Sequence, residues 1–344
     1  SKMLGMKSIK RLEYIWLDGD NNLRGKTKVW DGEKDFKVSD LPEWNYDGSS
    51  TKQAIGNDSE VILKPRKIYP NPFAPNNRYD SHIVLCDTWK PDCTPHPSNT
   101  RVIAETIFQL KPELKPWFGI EQEFFFINPK LNLPIGFRID GGAPPQGPYY
   151  CGVGGPVAYG RCAGEEALYN CLNTNLNITG LNFEVAPGQC ELQLREEGLD
   201  AGDDLIMLRY ILIRTGEKYG LGIDFSAKPI KGDWNGSGCH VNFSTQPMRE
   251  DDGYKEIENA IKKLSEKHQE HIKVYGDDNN ERLTGLHETS SMDKFTFGVA
   301  DRTASIRVPR ETISNKKGYF EDRRPSSSMD PYLVISKIFE TTSL

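Results

Sequence analysis

Polar and apolar positions alternate with period two over residues 8–30, where Leu12, Tyr14 and Trp16 fall on one face. Asp18-Gly19-Asp20-Asn21-Asn22 supplies turn chemistry and Leu23 to Trp30 returns, so the pattern predicts a hairpin. Residues 41–51, dense in Asp, Gly and Ser, predict a loop, although Trp44 and Tyr46 are unusual for a mere connection. Strands are expected at 61–63 and 82–89, and the proline-bearing stretch 90–98 reads as a linker. A helix is expected to open at Ser98 or Asn99, with Ile103, Ile107 and Leu110 on one face. Helical periodicity returns at 165–175, 203–219, 254–275 and from 331 onward, with short strands near Phe183, Glu191, Phe225, His240 and Ile306. Residues 141–161, rich in Gly, Pro and Tyr, predict a long loop of the kind that borders a site. Antiparallel strands followed by helices, without regular βαβ alternation, point to an α+β chain. The expected division is a small β-rich domain at 1–98 and a larger domain at 99–344.

The most informative stretch is Trp117-Phe118-Gly119-Ile120-Glu121-Gln122-Glu123-Phe124-Phe125-Phe126-Ile127. In a strand, residues two apart point to the same side, so Glu121 and Glu123 project together from a hydrophobic element. Two neighbouring carboxylates repel, and burying them without a cation is costly. An edge strand with both glutamates in water is the bland alternative. Four further stretches repeat the spacing. Glu184 is followed by Glu191, Gln193 and Arg195 on one face; His240, Asn242 and Ser244 share another; Arg302, Arg307 and Arg310 form a third set; Gly318 to Pro325 carries the fourth. Five such strands facing water would leave the chain little core. If their polar faces converge instead, they line one deep pocket with carboxylates at one part and arginines at another. Carboxylates with one imidazole suit Mg²⁺ or Mn²⁺, and arginines grip phosphates and small carboxylates. From the residues alone, the reading is a metal-dependent phosphoryl-transfer enzyme.

Composition narrows this further. With 344 residues, 37% hydrophobic and 27% charged, the chain fits a soluble globular protein with one large core or two. The net charge of −6 argues against general nucleic-acid binding, and no apolar run is long enough to span a membrane. Ser1 to Met6 lacks the apolar core of a secretory signal. Seven cysteines without a Cys-x-x-Cys pair suggest reduced thiols and a cytoplasmic setting. There is no Gly-x-x-x-x-Gly-Lys-Ser/Thr loop, and Gly152-Val153-Gly154-Gly155 is not a dinucleotide fingerprint. Cys239 beside His240 would point to the opposite side of a strand, which favours packing over nucleophilic chemistry.

Six runs, in order and spanning nearly the whole chain, resemble the eukaryotic-type second class of the glutamine synthetase family. They are Trp44 to Thr51, Trp117 to Glu123, Gly147 to Gly154, Trp234 to His240, Leu283 to Ser290 and Lys317 to Pro325. The resemblance implies an N-terminal β-grasp domain followed by a catalytic domain with a curved antiparallel sheet flanked by helices. It implies ligation of ammonia to L-glutamate through γ-glutamyl phosphate, with ATP as co-substrate and two to three Mg²⁺ or Mn²⁺ ions per site. By that resemblance Glu123, Glu184 and Glu191 hold the metal nearer glutamate, and Glu121, His240 and Glu321 hold the one at the γ-phosphate. Asn235, Gly236, Arg282, Arg302 and Arg323 correspond to glutamate contacts. Trp117, Glu191, Asn242, Ser244, Arg302, Arg307 and Tyr319 correspond to nucleotide contacts. Asp47 corresponds to the group that takes a proton from ammonium across a subunit boundary, and Glu288 to a closing flap. A homodecamer of two pentameric rings is implied, with no nucleic-acid or membrane partner. A ligase for another amine or another carboxylate, and a structural relative without catalysis, are the competing readings; the second should have lost metal ligands or Arg323. Three positions depart from the family pattern: Cys190, Asp301 and Phe124, of which Asp301 is expected to pair with an arginine.

Overall fold

The computed structural model describes residues 8–74 and 79–344. The start of the chain, where the sequence predicts no secretory signal, lies outside the described residues. The chain divides into two compact units, Ser1–Ile103 with Asn170–Leu176 and Ala104–Tyr169 with Asn177–Leu344.

In the first unit β1 (Ile9–Leu17) and β2 (Leu23–Asp31) form the predicted hairpin, followed by β3 (Trp44–Asp47), β4 (Glu60–Pro70) and β5 (Asp80–Trp89). Their order is β2-β1-β5-β4-β3, with β1 and β5 parallel and the other pairs antiparallel. Leu12, Tyr14, Trp16, Leu63, Val84 and Cys86 form the core. The segment predicted as a loop is thus partly a strand. Trp44 packs edge-on against Tyr14 and Tyr46 stacks on Trp16 at 4.4 Å, and these two aromatics draw the backbone into register with β4. Local composition signalled turn chemistry, but burial of alternate aromatics decided the conformation.

The helix α1 (Arg101–Phe108) starts two residues after Asn99, whose Oδ1 accepts from the Val102 N–H at 3.2 Å. The predicted face is not the buried one. Ile103 and Leu110 are exposed, while Ala104 and Phe108 are buried, and Phe108 packs on Phe118 and Phe339. Leu110 lies beyond the helix end, so the assumed 103/107/110 stripe was never one helical face.

The second unit continues with β6 (Trp117–Asn128), β7 (Leu133–Pro134), α2 (Arg161–Asn173), β8 (Ile178–Phe183), β9 (Gln189–Glu197), α3 (Leu199–Tyr219), β10 (Gly222–Asp224) and β11 (Cys239–Ser244). After these come α4 (Gln246–Arg249), α5 (Tyr254–Glu266), α6 (His268–Ile272), β12 (Phe297–Val299), β13 (Ile306–Val308), α7 (Arg310–Asn315), β14 (Phe320–Asp322) and α8 (Pro331–Ser343). The expected single helix over 254–275 is two, because Lys267 leaves the helical region at φ −121°. The described strands form a nine-stranded sheet whose main path is β12-β13-β14-β11-β6-β9-β8. The fold is α+β with mixed sheets.

β6 lies inside this path, between β11 and β9, and its two faces differ as period two requires. Phe118, Ile120, Gln122, Phe124 and Phe126 are buried, on the side opposite Glu121 and Glu123. The one polar member of that buried set is fully satisfied: Gln122 Oε1 accepts from Arg209 Nε of α3 at 2.8 Å, and Gln122 Nε2 donates to the Ser327 carbonyl at 3.0 Å. No helix among the described residues is long and apolar enough to cross a membrane.

Candidate active site

Strand pairing brings the polar faces together in rungs. Glu123 on β6 stands opposite Glu191 on β9, which in turn faces Asn182 on β8. One rung along, Glu121 stands between His240 on β11 and Gln193 on β9. In the next, Gly119 lies between Asn242 and Arg195, Asn242 faces Glu321 on β14, and Glu321 faces Arg307 on β13. Like charges directly opposite, as at Glu123 and Glu191, destabilise a sheet unless a cation sits between them. These strands therefore meet for a reason other than stability.

Asn182, Glu123 and Glu191, then Glu121, His240 and Gln193, then Glu321 and Arg307 line a cavity of about 470 Å³, whose lining also includes Glu184, Asn235, Gly236, Arg282, Glu288, Arg302 and Arg323. Every expected metal and glutamate contact opens onto this one space. Gly236 has no room for a side chain, since a Cβ there would run into the Ala227 carbonyl and Arg282 Cγ. Arg282 is itself buried, with Nε on Asn279 Oδ1 at 3.0 Å and Nη2 on the Arg324 and Pro325 carbonyls at 2.6 and 3.0 Å. It therefore braces the loop after β14 as well as lining the pocket.

The electrostatics are strained without a bound cation. Burial, then Glu321 and Glu191, push the Glu121 carboxyl well above the usual carboxylate range. Burial, then Glu184 and Glu191, do the same to Glu123, even though Glu123 accepts from the Gly238 N–H and from Gln189 Nε2, both at 3.0 Å. Glu184 is raised to about 7 by burial and by Glu191, and Glu191 is raised chiefly by burial. Burial, then Arg323, Arg282 and Arg302, hold the His240 imidazole well below its ordinary value, so it is neutral and free to ligate. Glu121, His240 and Glu321 present ligand atoms within 4.8 Å of one another, the one such group among the described residues. His240 Nδ1 lies 3.8 Å from Glu121 Oε2 and 3.7 Å from Glu321 Oε1. A hard divalent cation fits this donor set, because it would relieve the carboxylate repulsion that burial makes costly.

Arginines stand beside Glu321, with Arg307 Nη1 3.8 Å from its Oε2. The Nε atoms of Arg307 and Arg323 are buried and unpaired. Arg323 Nη1 donates to Glu321 Oε1 at 2.6 Å and Nη2 to the Glu288 carbonyl at 3.2 Å. The Arg302, Arg307 and Arg323 side chains line the same cavity, where an anion would meet charge-assisted donors. The alternation of β14 continues behind the sheet, where Asp322 and Arg324 form a buried pair at 2.8 Å and Tyr275 donates to Asp322 at 2.7 Å.

A second cavity of about 430 Å³ takes in Trp117, Asn242, Ser244 and Tyr319, the remaining expected nucleotide contacts. It is built on the rungs next to those of the first, and Asn242 Nδ2 touches both, donating to the Gly119 carbonyl at 3.1 Å and to Glu121 Oε2 at 3.4 Å. Sequence reading missed Arg249 here. Its guanidinium lies 3.7 Å from the Trp117 ring centroid and donates to Ser244 Oγ at 2.8 Å. It sits at the end of the four-residue α4, too short to show periodicity; its only sequence signal is an arginine five positions after Ser244.

Asp47 does not line either cavity. It is exposed in the first unit, where Oδ1 accepts from Ser49 N and Oγ at 3.0 and 2.6 Å, and these bonds hold its carboxyl below the usual range. Arg310 of the third arginine set is likewise outside the lining. Asp301 does not pair with an arginine as expected. Its Oδ1 accepts from Thr303 N at 2.9 Å and Thr303 Oγ1 at 2.6 Å, a local turn. Cys190, Phe124 and Cys239 are buried on the face away from the cavity, so none of them alters the lining.

Comparison with known proteins gives the family. Residues 100–273 match the family model for the glutamine synthetase catalytic domain. The chain is 50% identical to a glutamine synthetase nodule isozyme of Medicago sativa over 340 residues, covering 96% of this chain and 93% of the relative. It is 48% identical to a putative glutamine synthetase of Acanthamoeba polyphaga mimivirus over 337 residues, covering 97% and 94%. A glutamine synthetase of Plasmodium falciparum solved by cryo-electron microscopy shares the fold with a TM-score of 0.77 at 18% identity, over 97% of this chain and 72% of that one.

Proposed function

The chain belongs to the glutamine synthetase family, and we propose that its two adjoining cavities are the glutamate and nucleotide sites of the reaction. The protein is an ATP-dependent ligase that joins ammonia to L-glutamate, giving L-glutamine, ADP and phosphate. The observation that carries the site assignment is the meeting of carboxylates and arginines in the lining of one cavity.

A carboxylate is a poor acyl donor, so the γ-carboxylate of glutamate is first phosphorylated. Asn235, Gly236, Arg282 and Arg323 hold glutamate with that group toward the phosphates. Trp117, Asn242, Ser244 and Tyr319 seat the nucleotide, and Arg302 and Arg307 reach its phosphates. Arg323 and Arg307 offset charge where two anions approach. Glu121, His240 and Glu321 would hold one divalent cation, and Glu123, Glu184 and Glu191 another; when bound, they supply further charge neutralisation at the transferred phosphoryl group. Asp47 of a neighbouring copy takes the proton from ammonium, and ammonia attacks the acyl phosphate. Glu288 closes over the site and keeps water from the acyl phosphate. Ring assembly as a decamer, Mg²⁺ or Mn²⁺ as the ions, and a cytoplasmic setting complete the proposal; the seven unpaired cysteines support the last.

Phosphate release from ATP, measured with glutamate and ammonium each omitted in turn, tests this on the parent and on Asp47→Ala. Release that requires both substrates, with glutamine formed and a large loss in the variant, is the expected result. Release indifferent to ammonium would assign the site to another amine.

A further inference from the structure

Residues 141–160 carry neither helix nor strand, yet one side chain of this segment is tied to the glutamate site by a reciprocal pair of hydrogen bonds. The backbone N–H of Asn235 donates to Gln146 Oε1 at 2.6 Å, and Gln146 Nε2 donates to Asn235 Oδ1 at 3.1 Å. The first bond settles the orientation of both amides. A backbone N–H can only donate, so it must meet the oxygen of Gln146. The Gln146 nitrogen is then the group facing the Asn235 side chain, which must answer with its own oxygen. What Asn235 has left for the cavity it lines is Nδ2, two N–H donors. The residues beside Asn235 are held as well. Trp234 packs on Phe137 with ring centroids 5.0 Å apart, its carbonyl accepts from Lys228 Nζ, and Gly236 is pressed against Ala227 and Arg282.

We infer that Gln146, which does not line the cavity, is a positioning residue that fixes the Asn235 amide as a donor toward the carboxylate of the bound substrate. The inference rests on the reading of this cavity as the glutamate site. An ionised carboxylate only accepts, so the flipped amide, with Oδ1 toward the cavity, would oppose it. Gln146 thus selects for a carboxylate at this point of the pocket and against a group that donates.

The test compares Gln146→Met with Gln146→Glu. Methionine keeps the volume and frees the Asn235 amide to rotate. Glutamate can still accept from the Asn235 N–H, but its second oxygen also accepts, so it recruits Nδ2 and turns Oδ1 into the cavity. KM for glutamate is expected to rise modestly in Gln146→Met and by about tenfold or more in Gln146→Glu, with KM for ATP unchanged in both. A merely structural role gives the opposite order, because glutamate preserves more of the native bonding than methionine. Repeating both changes in an Asn235→Ala background separates orientation from the added negative charge. There the two variants should have the same KM for glutamate. A methionine variant as impaired as the glutamate variant, or a gap that persists without Asn235, would overturn the inference while leaving the parent activity intact. A parent chain that does not bind glutamate would remove the site reading and this inference together.

Discussion

Single residues behind the sheet show how burial alone sets chemistry. His271 is buried, and burial, then Arg324, hold its imidazole down at about 3. Tyr275 spends its hydroxyl proton on Asp322, so its oxygen accepts from His271 Nδ1–H at 2.7 Å, and His271 Nε2 accepts from Thr341 at 2.8 Å. Unfolded, the same imidazole titrates near 6.5. Its neutral-state contribution to stability is therefore complete above about pH 6.5, falls by up to about 1.4 kcal/mol per pH unit below that, and is lost as pH passes about 3. His268, also lowered by burial, adds in the same direction. The urea midpoint at fixed protein concentration should drop from pH 6.5 to 4.5 in the parent and drop less in His271→Gln. Equal slopes would mean that His271 is protonated in the folded chain. Asp301 is held at this scale too, by a turn bond to Thr303 two residues away.

At the scale of elements, the segment carrying Glu288 stands out. Its base is closed by the Thr284–Ser291 bridge and by Met292 N on the Leu283 carbonyl at 3.0 Å. At its tip His287 and Glu288 take φ of 53° and 59°, two successive non-glycine residues in the left-handed region. Each costs about 1–2 kcal/mol relative to right-handed backbone, so the tip holds a shape that its own residues resist. A β-branched residue tolerates that region least. His287→Val should therefore loosen the tip and admit water to the acyl phosphate. The measurement is the ratio of phosphate released to glutamine formed, expected to climb above one in the variant. A ratio that stays at one would detach the tip conformation from water exclusion. The same scale explains two misread elements, since neither the strand at Trp44–Asp47 nor the break at Lys267 has a local signal stronger than its competing pattern.

For the whole molecule, the open matter is Asp47, which lines neither cavity of its own chain. If it serves a neighbouring copy, two inactive variants should complement. Asp47→Ala and Arg323→Ala chains, unfolded together and reassembled in equal amounts, would each repair the other's defect wherever they meet in the right order. About a quarter of the parent activity is expected, since both donors of a site must be intact. Activity no higher than that of the separately reassembled variants would confine the site to one chain.

The amino-acid sequence by itself determined the hairpin, the central Glu-x-Glu strand and the alternating polar faces of β9, β11 and β14. Each depends on period-two geometry, which is local. It also carried the family, because six motifs recur in order. Only the tertiary structure decided which faces meet. Register put Glu123 against Glu191 and His240 against Glu121, and residues 68 and 119 positions apart cannot announce such pairings in advance. Tertiary packing also placed Arg249 on Trp117, split the helix at Lys267 and turned an aromatic loop into an edge strand. Gln146 belongs to that second group. The loop around it was marked as bordering a site, but nothing along the chain singles out Gln146 itself, whose meaning comes from one backbone N–H that the fold sets before it.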